Sequence, residues 1–294
     1  MAKYSFRHNN AVYAVQFSPD GKFLATGSLD HNVKIWDLKD GSLTKTLGGH
    51  GDGVSSVCFA PNGKTIVSGS LDGGIRMWDY PAGSVRTTMK QGGKFVTSLS
   101  FSSDSKVLAS GGYDNTARVW DSKGGSIANF GHPNVVYSVS VSPDGKKVIT
   151  GCRDNTARIY DVPAAKVLHS LAAHGKAVEA VAWSLKGDVV ASGSGDHHVR
   201  LWNATTGKLL HLLQSHTKYI KSVAFSKDGK YLATGSNDMA VKIWEVKSGS
   251  LKQTLKGHRN TIYGVAFSPT GRHVASASFD RTIQVWDWRS GKLL

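Results

Sequence analysis

The sequence predicts an all-β chain assembled from seven copies of one four-stranded unit. Three observations lead there: a phrase that recurs seven times, a nearly constant interval between copies, and strand-like alternation inside each copy with no competing helical period. The phrase runs "GSLDHNVKIWD", "GSLDGGIRMWD", "GGYDNTARVWD", "GCRDNTARIYD", "GSGDHHVRLWN", "GSNDMAVKIWE" and "ASFDRTIQVWD". Its aromatic residue falls at Trp36, Trp78, Trp120, Tyr160, Trp202, Trp244 and Trp286, 42 residues apart except for an interval of 40 between Trp120 and Tyr160. Length alone allows one domain or two; the repeat favours a single unit over residues 1–294.

Copy six shows the elements in order. "IKSVAFS" alternates, "KDGK" turns, "YLATGS" returns, "ND" turns, "AVKIWEV" follows, "KSG" turns and "LKQTL" completes four β segments. Glycine is abundant, at 33 residues, as so many turns require.

Four columns stay fixed while the rest varies. An aspartate stands six residues before each aromatic: Asp30, Asp72, Asp114, Asp154, Asp196, Asp238 and Asp280. Four residues before each aspartate is a hydroxyl: Thr26, Ser68, Ser110, Thr150, Ser192, Thr234 and Ser276. Twenty-two residues before it is a histidine, His8, His50, His132, His174, His216 or His258, with Gly92 in the slot of copy three.

These motifs resemble the WD-repeat family along the whole chain. The resemblance implies a seven-bladed β-propeller of four-stranded antiparallel blades. It also implies a structural tetrad in each blade, bonding histidine to aspartate to Ser/Thr to the indole N–H. Buried polar groups are tolerated when so paired, each bond contributing on the order of 1 kcal/mol. On this reading the six spaced histidines are structural. Two copies depart from it, and both departures predict local weakness. Gly92 removes one partner and leaves Asp114 to backbone or water, while Tyr160 donates with a shorter reach than indole. The two missing residues fall in "SKGGSIANFGH", so the outer strand of blade three is expected to be short. Joining Leu294 to Lys3 restores the register of "GKLLHLLQSH", so the N-terminal strand should join the last blade and close the ring.

Composition narrows the function. Thirty-six Lys and Arg against 21 Asp and Glu give a net charge of +15, which attracts acidic partners, nucleic acid or anionic lipid. Much of it fills two columns, Lys34 to Lys242 before the aromatics and Lys22 to Arg272 after the turns, so a diffuse field on the bottom face is expected rather than a nucleic-acid groove. Cys58 and Cys152 are 94 positions apart, in neither a disulfide framework nor a metal spacing, and the N-terminus holds no signal-peptide run. A cytoplasmic location is expected, the nucleus being possible on the same grounds. Cys152 beside Arg153 suggests an activated thiol until the repeat places it in a column otherwise filled by serine or glycine. No nucleotide, hydrolase or zinc-protease motif occurs, and "GKT" at Gly63 lacks the leading glycine and sits in a strand-to-strand turn. His197 and His198 are adjacent, so in a strand they point to opposite faces. No catalytic, metal or cofactor site is expected.

What remains is the variation that the fold does not require. In the family, partner peptides dock on the top face over the channel mouth, and two variable columns reach it. One carries Tyr13, Tyr137, Lys221 and Tyr263 beside Ser55, Thr97 and Glu179; the other carries Leu29, Leu71, Tyr113, Arg153 and Phe279 beside Gly195 and Asn237. Tyr13, Tyr263, Leu29 and Phe279 should adjoin across blades one and seven, and Lys176, Lys218 and Lys221, with Arg259 nearby, should form a basic sector. Aromatic and Arg side chains dominate interface energetics. The expected function is therefore a non-catalytic protein-protein interaction scaffold, a monomeric propeller within a larger assembly, taking a peptide with an apolar anchor and an acidic flank. The rival reading is a polyanion-binding module for RNA, DNA or acidic tails.

Overall fold

Short alternating strands joined by tight turns make antiparallel sheets with two faces to cover, and here neighbouring units cover them. The computed structural model describes residue 4 and residues 6–294. Blade one consists of Val12–Phe17, Phe23–Ser28, Val33–Asp37 and Leu43–Leu47, paired in sequence order from the inner strand to the outer. Five more four-stranded sheets repeat this meander, and the inner strands of consecutive blades lie side by side around a channel, the last against the first.

Both chain ends complete blade seven. Lys292–Leu293 pairs with Trp286 and Asp287 of its third strand, and Phe6–Arg7 pairs with Ile283 and Thr282 of that same strand. The N-terminal segment thus joins the last blade, and the buried Phe6 packs edge-on to Trp36 with 5.5 Å between ring centroids. Lys3, where the register argument joined the ends, lies outside the described residues.

The core lies between blades. One cluster combines Ala25, Val33, Ile35 and Leu47 of blade one with Val54, Phe59, Ile66 and Trp78 of blade two, and this pattern recurs around the ring. Close approach explains the glycine before the second serine of "SGS": a Cβ on Gly69 would lie 2.4 Å from Val96 Cγ1 of blade three. Side chains also link the inner strands, whose free edges need partners. Ser138 and Ser140 accept from the backbone N–H of Val181 and Trp183 at 3.1 and 3.0 Å, and Ser98 and Ser100 do so from Val139 and Val141.

The expectation of a short outer strand in blade three is corrected. Ser126–Gly131 has six residues, as many as its counterpart Leu209–Gln214. One missing residue comes from the preceding hairpin, where Trp120 pairs with Ser126 while Trp36 pairs with Leu43; the other comes from the loop to His132. Turns and loops tolerate deletion because they carry fewer ladder hydrogen bonds than the strand.

Candidate interaction surface

The top face is framed by the tetrads. In blade one, His8 Nδ1 lies 2.8 Å from Asp30, His8 Nε2 2.7 Å from Thr26 Oγ1, and Trp36 Nε1 donates to that hydroxyl at 2.9 Å. His50, His174, His216 and His258 make equivalent pairs with Asp72 and Ser68, Asp196 and Ser192, Asp238 and Thr234, and Asp280 and Ser276. Trp78, Trp202, Trp244 and Trp286 complete them. The order of links is corrected: histidine is central, and aspartate touches histidine rather than the hydroxyl. A carboxylate only accepts, so Nδ1 carries the proton and Nε2 accepts from the hydroxyl. Burial opposes both charges, pushing His8 below its ordinary pKa. For Asp30 burial is outweighed by its bond and charge contact with His8, which hold the carboxyl at about 2.

Blades three and four are wired differently. Gln91, one position before Gly92, fills the histidine's place: its Nε2 donates to Asp114 at 3.1 Å, and its Oε1 accepts from Ser110 at 2.6 Å. Asp114 therefore does not rely on backbone or water alone, and Arg118 also bonds it. Trp120 still donates to Ser110 at 2.8 Å. In blade four the shortened loop turns His132 Nδ1 to its own chain, onto Phe130 O at 3.0 Å, and away from Asp154. Arg158 holds Asp154 through both terminal nitrogens, and Tyr160 reaches His132 at 3.1 Å, while Thr150 lies 2.8 Å from His132. Burial, with the Arg158 charge beside it, lowers His132 to about 4. Cys152 is buried, its thiol is raised by burial, and it donates to Asn134 O at 3.3 Å, the site that serine uses in other blades. This arrangement does not favour a thiolate.

Above this frame, two aromatic groups line the channel mouth. Tyr13 and Tyr263 meet edge-on at 4.5 Å, and Phe279 lies 6.2 Å from Tyr263. Opposite them Phe95, Tyr113 and Tyr137 form a ladder with spacings of 5.2 and 6.2 Å. Tyr13, Tyr263, Phe95, Tyr113 and Tyr137 line a cavity of about 380 Å³, together with Ser55, Leu71, Glu179 and Lys221, and Phe279 stands beside it against Tyr263. Burial raises the Tyr13 phenol to about 12, with the Tyr263 and Tyr113 phenols adding to the effect. Leu29 lies over Gly53 together with Leu71, between blades one and two rather than one and seven. Lys221 pairs with Glu179 at 2.9 Å, and Lys176 and Lys221 both stand over the ring of Tyr219, at 5.2 and 5.7 Å. Arg153, Lys176, Lys218 and Arg259 are exposed.

A family model for the WD domain, G-beta repeat, matches seven times, at residues 2–37, 41–79, 83–121, 124–161, 165–203, 207–245 and 249–287. The chain belongs to that family. Among individual proteins it is 47% identical over 45 residues to periodic tryptophan protein 2 of Arabidopsis thaliana, a stretch covering 15% of this chain and 5% of the relative. It is 49% identical over 39 residues to the general transcriptional corepressor TUP1 of Saccharomyces cerevisiae, 13% of this chain and 6% of the relative. It is 48% identical over 42 residues to protein HIR1 of Kluyveromyces lactis, 14% of this chain and 5% of the relative. Each match spans about one repeat, a small part of the relative's length.

Within this WD-repeat framework, two exposed aromatics were missed by the two variable columns. Phe95 and Tyr219, 41% and 37% exposed, immediately precede an inner strand. Their column otherwise holds Ala11, Gly53, Val135, Ala177 and Thr261, so two large rings among smaller residues were the available signal. The basic columns also separate. Arg118, Arg158 and Arg200 are tied to tetrad aspartates, and Lys34 and Arg76 lie over Trp36 and Trp78. The turn lysines lie exposed on the bottom face among Asp20, Asp104, Asp144 and Asp228. Among the described residues, the exposed Lys94, Arg153, Lys176, Lys218, Arg259 and Arg281 of the top face have only Asp52 and the paired Glu179 as acids outside the tetrads. Among the described residues no group of three or more His, Cys, Asp and Glu is placed to hold a metal ion, and no helix is long and apolar enough to cross a membrane.

Proposed function

We propose that this WD-repeat propeller is a non-catalytic interaction scaffold whose top face binds a peptide segment with an apolar anchor and an acidic flank. The observation that carries the reading is the convergence of two aromatic groups on one 380 Å³ mouth, bordered by exposed cations. Such a mouth takes an aliphatic or aromatic anchor, and the cations meet carboxylates at the rim, where they mainly steer encounter and select partners. The reading places the protein in the cytoplasm or nucleus, compartments that keep its two free cysteines reduced.

The test selects binders from a displayed library of random 12-residue peptides and measures the enriched sequences against Tyr113→Ala with Phe279→Ala. Both side chains are exposed, at 40% and 43%, so the double variant should lose capture at unchanged thermal stability. Unchanged affinity sinks the top-face reading. Salt separates the rival polyanion reading, in which affinity falls steeply in proportion to the phosphates contacted, whereas an apolar-anchored peptide responds weakly.

A further inference from the structure

The outer strand of each blade presents an edge that the ring does not cover, and native sheets protect such edges with charges, especially lysine. Five outer strands follow that pattern or stay polar. Leu43–Leu47 carries Lys45, Val85–Lys90 carries Arg86 and Lys90, Lys166–Leu171 begins on Lys166, and Leu251–Lys256 carries Lys252 and Lys256. Ser126–Gly131 has no charge but includes Ser126 and Asn129.

Blade five departs from all of them. Its outer strand, Leu209–Gln214, has no charged residue and exposes three leucines, Leu209 at 48%, Leu210 at 44% and Leu212 at 43%. The decisive residue is Leu212, which pairs with Arg200 of the third strand. Its counterparts, read from the same pairing in other blades, are Thr46, Thr88, Asn129, Ser170 and Thr254. The fold therefore accepts a small polar residue there, and an exposed leucine serves no visible packing need.

The strand is also self-complementary. "LLHLL", residues 209–213, reads the same in both directions about His211. Antiparallel pairing with an identical strand about a two-fold axis sets His211 opposite its own copy and Leu210 opposite Leu212 of the second chain. Directly opposed aliphatic pairs support a sheet, whereas directly opposed like charges destabilise it. That contrast matters for a chain of net charge +15, in which most other outer edges would bring lysine or arginine near their copies.

We propose that blade five's outer strand is a homodimerisation edge, joining two propellers perimeter to perimeter by an isologous antiparallel strand pair centred on His211. This departs from the monomeric propeller expected from the sequence and is independent of the top-face reading, because both mouths stay open.

Sedimentation velocity across the micromolar range tests it on the full chain. Wild type should show a concentration-dependent dimer. Leu210→Thr with Leu212→Thr, which installs the residue type that other blades carry, should weaken the dimer at least about tenfold at unchanged melting temperature. Separately, His211→Cys should be joined to its copy by a short bismaleimide, the two native cysteines being buried. A wild type that stays monomeric, which would leave the edge to a strand of another protein, overturns the proposal. So does a dimer unaffected by the threonines, or a His211→Cys variant that fails to cross-link where the wild-type background dimerises.

Discussion

Gln91 occupies the space that a side chain at position 112 would need: a Cβ on Gly112 would lie 2.5 Å from Gln91 Cγ. Gln91, Gly92 and Gly112 form one linked solution in blade three. Restoring the repeat pattern by Gly92→His should therefore destabilise the protein. That Cβ would fall 2.4 Å from Asp114 Oδ2, and Gly92 has φ +50°. Gly112→Ser should cost about 1–3 kcal/mol by overpacking. Urea titration checks both, and a stabilising Gly92→His would refute the linkage.

Tyr160→Trp is expected to be stabilising or neutral from the repeat alone, and the structure reverses that sign. Phe130 packs against Tyr160 with centroids 4.3 Å apart, where the equivalent outer-strand positions of several blades hold Leu47, Met89, Leu171, Leu213 and Leu255. The larger indole should cost about 1–3 kcal/mol, and adding Phe130→Leu should recover part of it. A double-mutant cycle with no coupling energy would contradict this packing.

Acid should weaken the fold before carboxylates protonate. His8, His50, His132, His174 and His216 all have folded pKa values below the ordinary 6.5, burial being the leading cause in each. Their neutral forms are favoured in the folded state, so below about pH 6.5 the unfolded chain binds more protons and stability falls with pH. His132, lowered to about 4, extends that window down to that pH. A second loss follows as pH drops from the ordinary aspartate range through about 2, the folded value of Asp30. Calorimetry should show melting temperature declining from about pH 7 to about pH 5, and a flat profile would contradict neutral buried histidines.

The hydroxyl links between inner strands are testable singly. Ser138→Ala leaves the Val181 N–H without its acceptor in a buried setting and should cost about 1–3 kcal/mol, measured by thermal or urea unfolding. No measurable loss would show that channel water replaces the serine.

The sequence alone determined the repeat count, the strand order and the closure, because each rests on a periodic demand: one aspartate, one hydroxyl and one aromatic ring per unit, met by side chains at fixed separations. It also named Tyr13, Tyr113, Tyr137 and Tyr263, which line one cavity, since these stood in columns that no packing demand explains. Only the tertiary structure decided what happens where the period breaks. Gln91 is one position out of register and so invisible to column comparison, yet a flexible amide reaches the space of an imidazole. His132 keeps its column and loses its aspartate, because a loop shortened by one residue turns the ring. Phe95 joins the mouth beside Tyr113, and Tyr219 lies beneath Lys176 at its border, across short distances that sequence spacing does not encode. Local period specifies the blade, while the packing of one blade against the next decides the exceptions.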